Sequence, residues 1–371
     1  MIFFQRFFAF LLFIIPGPSI GRQLPVISND STLDFTEVLP GVWKCIVGQP
    51  EAYDLLKASG AMPDKAALKK LGGTVFPFGS ADIAGAIQDG KTSLRFPLER
   101  GEQLYGFGLN FQTIHQRGKI LQLHVDHYGG RDNGRTHAPT PFYVSSKGYG
   151  VFINAARYIT VYAGSGVRVD SKDPPVEKDR NTDKTWSSRP YSDAVEISVP
   201  AAGVEVYVFA GPTTLDVVRR FNLFNGGGVL PPRWGLGFTQ RVRSLFTSGE
   251  VKAEVDSFKE RGYPLDYIGL EPGWQSKSYP GTFEWDKKRF PEPAKFVKEM
   301  LDKGIRLNLW INPYISKDAS FYKSILPYIG SHTVWTGAVP DLTMARARDI
   351  FFGQLEKDQI DIGISGYKID E

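Results

Sequence analysis

The pattern of hydrophobic and polar residues differs between two parts of the chain. From about residue 23 to residue 228, short runs of alternating or β-branched residues, such as "YGVFINA" and "VEVYVFAG", are separated by Gly, Pro and Asp. This pattern is typical of strands joined by turns. One clearly helical stretch, "TLDVVRRFNLF", comes near the end of the region. The pattern therefore predicts an N-terminal β-sandwich domain over residues 23–228.

The pattern of hydrophobic and polar residues changes after the Gly- and Pro-rich segment at 226–232. Four predicted strands alternate with helical stretches over 248–262, 292–304, 319–327 and 345–358; the strands are "RWGLGFTQ", "LDYIGLE", "RLNLWINPYI" and "ISGYKIDE". Alternation of this kind indicates a parallel barrel or a doubly wound sheet. A (β/α)₈ barrel takes about 250 residues, and roughly 140 follow the boundary. We therefore expect residues 229–371 to form the first half of a (β/α)₈ barrel, ending after strand four.

Composition and charge narrow the possible partners. The 371 residues are 42% hydrophobic, enough for a large core, and the formal net charge is only +4 with both signs interspersed. Neither nucleic acid nor an anionic membrane is favoured by that balance, and a neutral, hydroxyl-rich ligand suits it better. Aromatic residues make up 13% of the chain, which fits both a β-rich core and stacking on sugar faces.

The first 21 residues have the pattern of a signal peptide. Arg6 precedes an apolar run over 7–15, which prolines and small residues follow. The run is too short for a stable membrane span, so we expect export into the periplasm or the medium. The single cysteine, Cys45, excludes an intrachain disulfide and is expected to be buried. No cofactor is expected, and the histidine spacing predicts no metal site.

Candidate catalytic residues lie where the predicted strands end. In a barrel the active site forms at the C-terminal ends of the strands. Glu271 and Trp274 follow the second strand, Trp310 lies on the third, and the fourth carries Lys368 and Asp370. Because side chains alternate along a strand, Lys368 and Asp370 are predicted to share one face. Such a pair fits a nucleophile kept ionised by a lysine, and it also fits a structural ion pair at a strand end.

Longer motifs add a family resemblance over roughly residues 100–371. The segments "PLDYIGLEPGW", "FEWDKKRFPEPAKFVKEMLDKGIRLNLWINPYIS" and "GYKIDE" together resemble the catalytic barrel of glycoside hydrolase family 31, which contains retaining α-glucosidases, α-xylosidases and α-galactosidases. Upstream, "EQLYGFGLNFQ" and "HAPTPFYVSSKGYGVFIN" resemble the β-sandwich that precedes this barrel. The resemblance implies a carbohydrate substrate.

The resemblance also implies roles for individual residues. Asp370 matches the family's nucleophile, and Lys368 matches a lysine of the α-xylosidase-like branch. Trp310 matches an aromatic residue that lines the sugar subsite. Glu271 departs from the Asp that contacts the sugar's 4-hydroxyl in relatives acting on gluco- or xylo-configured sugars. One extra methylene moves the carboxylate, so we expect a differently placed hydroxyl, as in galactose. Trp274 is a candidate substrate contact, although packing explains it equally well.

These inferences predict a retaining exo-α-glycosidase that favours α-galactosides. α-Xylosidase or α-glucosidase activity, a non-catalytic carbohydrate-binding remnant, and an unrelated barrel enzyme are the alternatives. Family resemblance places the acid/base aspartate downstream of Asp370, and Glu371, on the opposite strand face, cannot replace it. The chain by itself is therefore expected to be nearly inactive and poorly soluble. The sequence does not predict an oligomeric state.

Overall fold

The computed structural model describes residues 33–79, 82–110, 113–125, 136, 138–167, 171 and 174–370. The signal peptide predicted over 1–21 and Glu371 lie outside the described residues. The chain forms two compact units. Among described residues, the first unit comprises 33–52, 71–125 and 136–220, and the second comprises 53–70 and 221–370. The domain limits drawn from the sequence stay a prediction.

Strands and turns make up most of the first unit. Its strands are β1 (Thr36–Leu39), β2 (Val42–Gly48), β3 (Ala84–Gln88), β4 (Lys91–Pro97), β5 (Leu104–Gly108), β6 (Lys119–Leu123), β7 (Pro139–Ser145), β8 (Tyr149–Asn154), β9 (Ile159–Ser165), β10 (Tyr191–Val199) and β11 (Gly203–Ala210). They pair antiparallel in two sheets, ordered β1-β2-β11-β8-β7-β5 and β3-β4-β10-β9-β6.

One hydrophobic core joins these two sheets. Val206 and Val208 of β11 belong to the same buried cluster as Val195 and Ile197 of β10, which lie in the other sheet. Buried residues alternate with less buried ones along β4, as expected when two sheets pack face to face. The predicted β-sandwich is therefore confirmed.

Helices and parallel strands alternate in the second unit. Its elements include α1 (Leu55–Ser59), α2 (Lys65–Lys70), the end of α3 (Thr214–Phe224), β12 (Thr239–Arg241), α4 (Ser248–Glu260), β13 (Tyr267–Leu270), α5 (Pro293–Asp302), β14 (Arg306–Ile311), α6 (Tyr322–Ile325), α7 (Ala345–Leu355) and β15 (Gly366–Ile369). A π-helix over Glu356–Ile360 extends α7. The four strands form one parallel sheet in the order β12-β13-β14-β15.

Local signals explain most boundaries of this unit. Thr247 accepts a hydrogen bond from the Glu250 N–H while the Glu250 carboxylate accepts one from the Thr247 N–H, so a capping box starts α4. Leu307, Leu309 and Ile311 of β14 are buried against the helices, which leaves the intervening residues for the opposite face of the sheet. The strand and helix order confirms the predicted partial barrel.

Two details of the sequence-based prediction were wrong. "RWGLGFTQ" is not one strand, because Arg233–Leu236 forms a 3₁₀ turn and pairing begins only at Thr239. Hydrogen bonds from Gly235 to Pro232 and from Gly237 to Trp234 close that turn. The short helices α1 and α2 were missed, since one or two turns carry little periodicity. Among the described residues, no helix combines the length and apolar character needed to cross a bilayer.

Cys45 provides a probe of the first unit. Its side chain is buried in β2, and this burial, helped by the charge of Asp34, raises the pKa of the thiol to about 11. Since the thiolate is the reactive form, we predict that a disulfide reagent at pH 8 modifies the folded chain very slowly and the chain in guanidinium rapidly. Absorbance of the released chromophore measures both rates. Fast, complete reaction in native buffer would show that β2 is not packed as described.

Candidate active site

The parallel sheet brings the predicted catalytic residues to one edge. The pairing register sets Trp310 of β14 beside Lys368 of β15, and Asp370 follows that strand directly. Glu271 directly follows β13, the neighbour of β14 on its other side. Residues from the ends of three adjacent strands therefore converge, as expected at the C-terminal side of a barrel.

Two hydrogen-bond donors hold the carboxylate of Asp370. The Lys368 ammonium Nζ lies 2.7 Å from Asp370 Oδ2, and the Trp310 indole Nε1 donates to the same oxygen at 2.8 Å. The contact agrees with the predicted common face of Lys368 and Asp370. A nearby cation and a positioned N–H both favour the ionised form of a carboxylate. The arrangement fixes an anionic oxygen donor at the strand end, which is what a carboxylate nucleophile requires.

A second charged cluster surrounds Glu271. The Arg241 guanidinium forms an ion pair with the Glu271 carboxylate and donates hydrogen bonds to Asn308 Oδ1 at 3.1 Å and to the Leu270 carbonyl at 3.2 Å. Gly269 makes this possible, since a β-carbon there would lie 2.3 Å from Arg241 Nη1. Sequence reasoning missed Arg241; its position as the last residue of the first barrel strand was the available signal.

Two tryptophan side chains, Trp274 and Trp285, link the π-helix to the backbone of Trp310. Trp285 Nε1 donates to the Asp358 carbonyl in the π-helix at 2.9 Å, and its ring packs edge-on against Trp274 with centroids 5.1 Å apart. Trp274 Nε1 in turn donates to the Trp310 carbonyl at 2.8 Å. Trp274 is only 1% exposed. Its burial favours the packing alternative, and a substrate contact for Trp274 stays a prediction.

Further aromatic rings cover Trp310 on the open side. Trp310 is itself 1% exposed, because the Tyr279 ring lies 5.2 Å from it between centroids. The exposed Trp335 ring lies 5.3 Å from both Tyr279 and Tyr314. Sequence reasoning missed Tyr279 and Trp335. Both come from connections between strands, where strand periodicity carries no information.

A strained turn presents Trp335. The backbone groups of Val334 and Gly337 exchange hydrogen bonds of 3.0 and 2.8 Å, and the two residues between them, Trp335 and Thr336, have φ of 47° and 62°. Positive φ costs a residue with a β-carbon roughly 1–2 kcal/mol. Strain of this kind persists where its surroundings enforce it, and it is common at ligand-binding positions.

Asn312 adds a buried polar group next to the site. It follows β14 directly, and its Oδ1 accepts a hydrogen bond from the Tyr314 N–H at 3.1 Å. Its Nδ2 is buried and has no hydrogen-bond partner within the described part of the chain. An unsatisfied buried donor is a candidate ligand contact. Over the same described residues, no group of His, Cys, Asp and Glu is arranged to hold a metal ion.

Family models match both units of the chain. Residues 228–371 match the family 31 glycosyl hydrolase TIM-barrel domain, and residues 65–161 match the glycosyl hydrolase 31 N-terminal galactose mutarotase-like domain. The chain belongs to glycoside hydrolase family 31. The resemblance drawn from the sequence motifs is thereby confirmed.

Individual members of family 31 share the sequence at moderate identity. The α-xylosidase XylQ of Lactiplantibacillus pentosus is 29% identical over 224 residues, which is 60% of this chain and 26% of XylQ. α-Glucosidase 2 of Bacillus thermoamyloliquefaciens is 27% identical over 286 residues, 72% of this chain and 33% of that protein. The chain thus spans about a quarter to a third of the length of these relatives.

The fold agrees with a solved family 31 structure. A mutant dextranase from Flavobacterium johnsoniae in complex with isomaltotriose superposes with a TM-score of 0.64. The alignment covers 91% of this chain and 40% of the dextranase, at 19% sequence identity. Similarity at this level shows the shared architecture of a sheet-rich domain followed by a partial barrel.

The hydrogen bond from Trp274 to the Trp310 carbonyl leads to a prediction about stability. Trp274→Phe keeps an aromatic ring but leaves the Trp310 carbonyl without its donor, at a cost of about 1–3 kcal/mol for a buried polar group. We expect the free energy of unfolding in urea to fall by that amount. Trp335→Phe, at an exposed position, is the matched control and should change it by less than about 0.5 kcal/mol. Equal effects of the two substitutions would contradict the support role.

Proposed function

We propose that the protein carrying this chain is a retaining exo-α-glycosidase with Asp370 as its nucleophile. The observation that carries the proposal is the Asp370 carboxylate, held by Lys368 and Trp310 at the end of the fourth barrel strand. Membership of family 31 and the named activities of the relatives, α-xylosidase and α-glucosidase, support the same reaction class. Asp370 alone does not complete the reaction, because retention needs two carboxyl groups about 5–5.5 Å apart.

The proposed reaction proceeds by double displacement. Asp370 attacks the anomeric carbon, the glycosidic C–O bond breaks, and the leaving oxygen takes a proton from an acid on the other side of the sugar. A β-linked glycosyl ester of Asp370 results. The same acid, now a base, removes a proton from water, which attacks the anomeric carbon and frees Asp370 with the α-configuration retained. Family resemblance places this acid/base aspartate beyond Asp370 in sequence.

Lys368 and Trp310 have a clear task in this scheme. Both donate to Oδ2 of Asp370, so they fix the carboxylate against rotation and stabilise its negative charge before attack. During the release of the sugar, the charge returns to the same oxygens, and the same two donors stabilise the leaving carboxylate. The ion pair therefore serves both chemical steps.

Exposed aromatic rings supply a surface for the substrate. Tyr279 is exposed beside Trp310, Trp335 is exposed beside Tyr279, and aromatic faces pack well on the C–H faces of sugars. In this arrangement Trp310 contacts sugar only if Tyr279 moves aside, so its direct stacking stays a prediction. We propose that Tyr279 and Trp335 make the first aromatic contacts with the substrate.

The identity of the sugar depends on Glu271. Its carboxylate is bound by Arg241, which limits how it can reach a 4-hydroxyl. The preference for α-galactosides rests on the length of Glu271 alone, and the names of the relatives do not support it. Lys368 and the α-xylosidase relatives favour α-xyloside instead, and α-glucoside is supported by α-glucosidase 2. We keep α-galactoside as the hypothesis to be tested, with α-xyloside and α-glucoside as the alternatives.

We also propose that residues 1–21 direct export of the protein.

Covalent trapping tests the nucleophile directly. Fluoride leaves without a proton donor, so a 5-fluoro-α-glycosyl fluoride reports on Asp370 independently of the acid/base group. We predict that mass spectrometry of the digested protein finds one sugar attached to Asp370. Asp370→Asn should abolish labelling while the unfolding transition stays unchanged, because the two side chains are nearly isosteric. A sugar attached to another carboxylate would refute the assignment.

Three trapping reagents test the sugar preference. With 5-fluoro-α-galactosyl, α-glucosyl and α-xylosyl fluorides, the α-galactoside hypothesis predicts fastest labelling by the galactosyl reagent. Glu271→Asp shortens the side chain and should lower that preference by about tenfold, the effect of one mismatched hydroxyl. Faster labelling by the xylosyl or glucosyl reagent, or an unchanged order in Glu271→Asp, would mean that Glu271 does not select the 4-hydroxyl.

A further inference from the structure

The first unit has a groove whose lining residues are not among those described for the candidate active site. The connection from β9 to β10 and the chain entering β6 border a cavity of about 960 Å³. A second cavity of about 460 Å³ adjoins it. The two share four lining residues, Arg117, Pro175, Val176 and Tyr191, so they form one continuous depression, here called the sandwich groove. Its size suits a ligand of several sugar units.

Two exposed aromatic rings line the sandwich groove. Trp186 is 38% exposed and Tyr191 is 59% exposed. A guanidinium lies over each ring: that of Arg180 is 5.3 Å from the Trp186 centroid, and that of Arg117 is 5.8 Å from the Tyr191 centroid. Gly118 permits the position of Tyr191, since a β-carbon there would lie 2.4 Å from the ring. Each ring therefore has a favourable contact with a cation and keeps part of its surface exposed to solvent.

The cations in and beside the groove differ from many other surface cations that the structure describes. Among the described residues, no carboxylate lies within ion-pair distance of Arg117, Lys178, Arg180 or Arg189, whereas many other surface cations of the chain are paired. The Arg117 guanidinium donates to the backbone carbonyls of Glu99, Glu102 and Ser192, at 2.7, 2.7 and 3.2 Å. These carbonyls hold its positive charge in place, and no carboxylate of the described residues forms an ion pair with it.

Acidic side chains also lie in and beside the groove. Glu102 and Asp193 line the smaller cavity together with Arg117, but the Glu102 carboxylate accepts hydrogen bonds from Ser145 and Tyr149, and Asp193 pairs with Arg95 at 3.2 Å. Asp183 accepts hydrogen bonds from the Thr185 hydroxyl and N–H, and these bonds, together with a smaller effect of the Lys178 charge, lower the pKa of its carboxyl. Glu177 lines the larger cavity together with Arg117, Lys119, Lys178 and Arg189. Counted over the described residues, the lining of the larger cavity therefore holds more cations than carboxylates.

We propose that the sandwich groove is a second carbohydrate-binding site, which takes acidic glycans whose sugars carry carboxylate or sulfate groups. Trp186 and Tyr191 offer faces for sugar rings, and the arginines offer bidentate donors for the anionic substituents. A neutral glycan would leave the cations unused. Single-stranded nucleic acid also combines flat rings with negative charge. Membership of a glycoside hydrolase family and the near-neutral charge of the whole chain favour a glycan.

Equilibrium binding tests the proposal without any need for catalysis. Isothermal titration would compare oligogalacturonate, heparin oligosaccharides, neutral dextran oligosaccharides and a single-stranded DNA oligonucleotide of similar length. We expect at least about tenfold tighter binding of an acidic glycan than of dextran, weakening as salt is added. The carboxylate and sulfate arms show which substituent is preferred. Equal affinity for dextran, or tighter binding of the oligonucleotide, would overturn the proposal.

Variants locate the binding. Trp186→Ala and Arg189→Gln should each weaken acidic-glycan binding by about fivefold or more. Tyr158→Ala and Arg157→Gln are matched controls on the same unit, since Tyr158 is 68% exposed outside the groove and Arg157 pairs with Glu51. Asp370→Asn should leave this binding unchanged, which separates it from failure of the glycosidase proposal. Equal losses in groove and control variants, or a loss in Asp370→Asn, would place the ligand elsewhere and refute the site.

Discussion

In-register hydrogen bonding between parallel strands is the constraint on which the candidate active site depends. Each strand of the barrel sheet sets the height of its neighbour, so Trp310 stands beside Lys368, and Gly269 stands beside both Arg241 and Asn308. A shift of one residue would turn every side chain to the other face. The contacts to Asp370 and the cluster around Arg241 thus follow from backbone pairing rather than from attraction between the charged groups, which would be weak in water.

Apolar packing on the helix-facing side of the parallel sheet holds the pairing register of its strands. Three residues of β14 are fully or almost fully buried against helices: Leu307, Leu309 and Ile311. The carbonyl of Trp310, also in β14, accepts a hydrogen bond from the indole of Trp274. A core packed at crystal density transmits small displacements instead of absorbing them. Volume changes behind β14 are therefore expected to reach the Asp370 carboxylate through Trp310.

The sequence alone located what depends on local pattern and failed where distant parts of the chain meet. Lys368 and Asp370 were predicted together because alternation within one strand decides their common face. Arg241 was missed because its partner is 30 residues away and its strand is only three residues long. The contact of Tyr279 with Trp310 was missed for a similar reason, because Tyr279 lies in an irregular connection where no strand or helix pattern places it. Trp274 remained ambiguous because burial, which only the structure gives, decides between packing and ligand contact.

Charge is distributed differently in the two sites, and this difference bears on what each can recognise. In the candidate active site Lys368 pairs with Asp370 and Arg241 pairs with Glu271, so in these two pairs each cation has a carboxylate partner. A balanced site exerts little long-range attraction and selects a neutral sugar by the geometry of individual hydrogen bonds. In the sandwich groove, arginines beside exposed rings have no ion-pair partner among the described residues, which favours anionic ligands within a Debye length. On the two proposals, the groove attracts a charged polymer at a distance, whereas the candidate active site distinguishes hydroxyl positions only after contact.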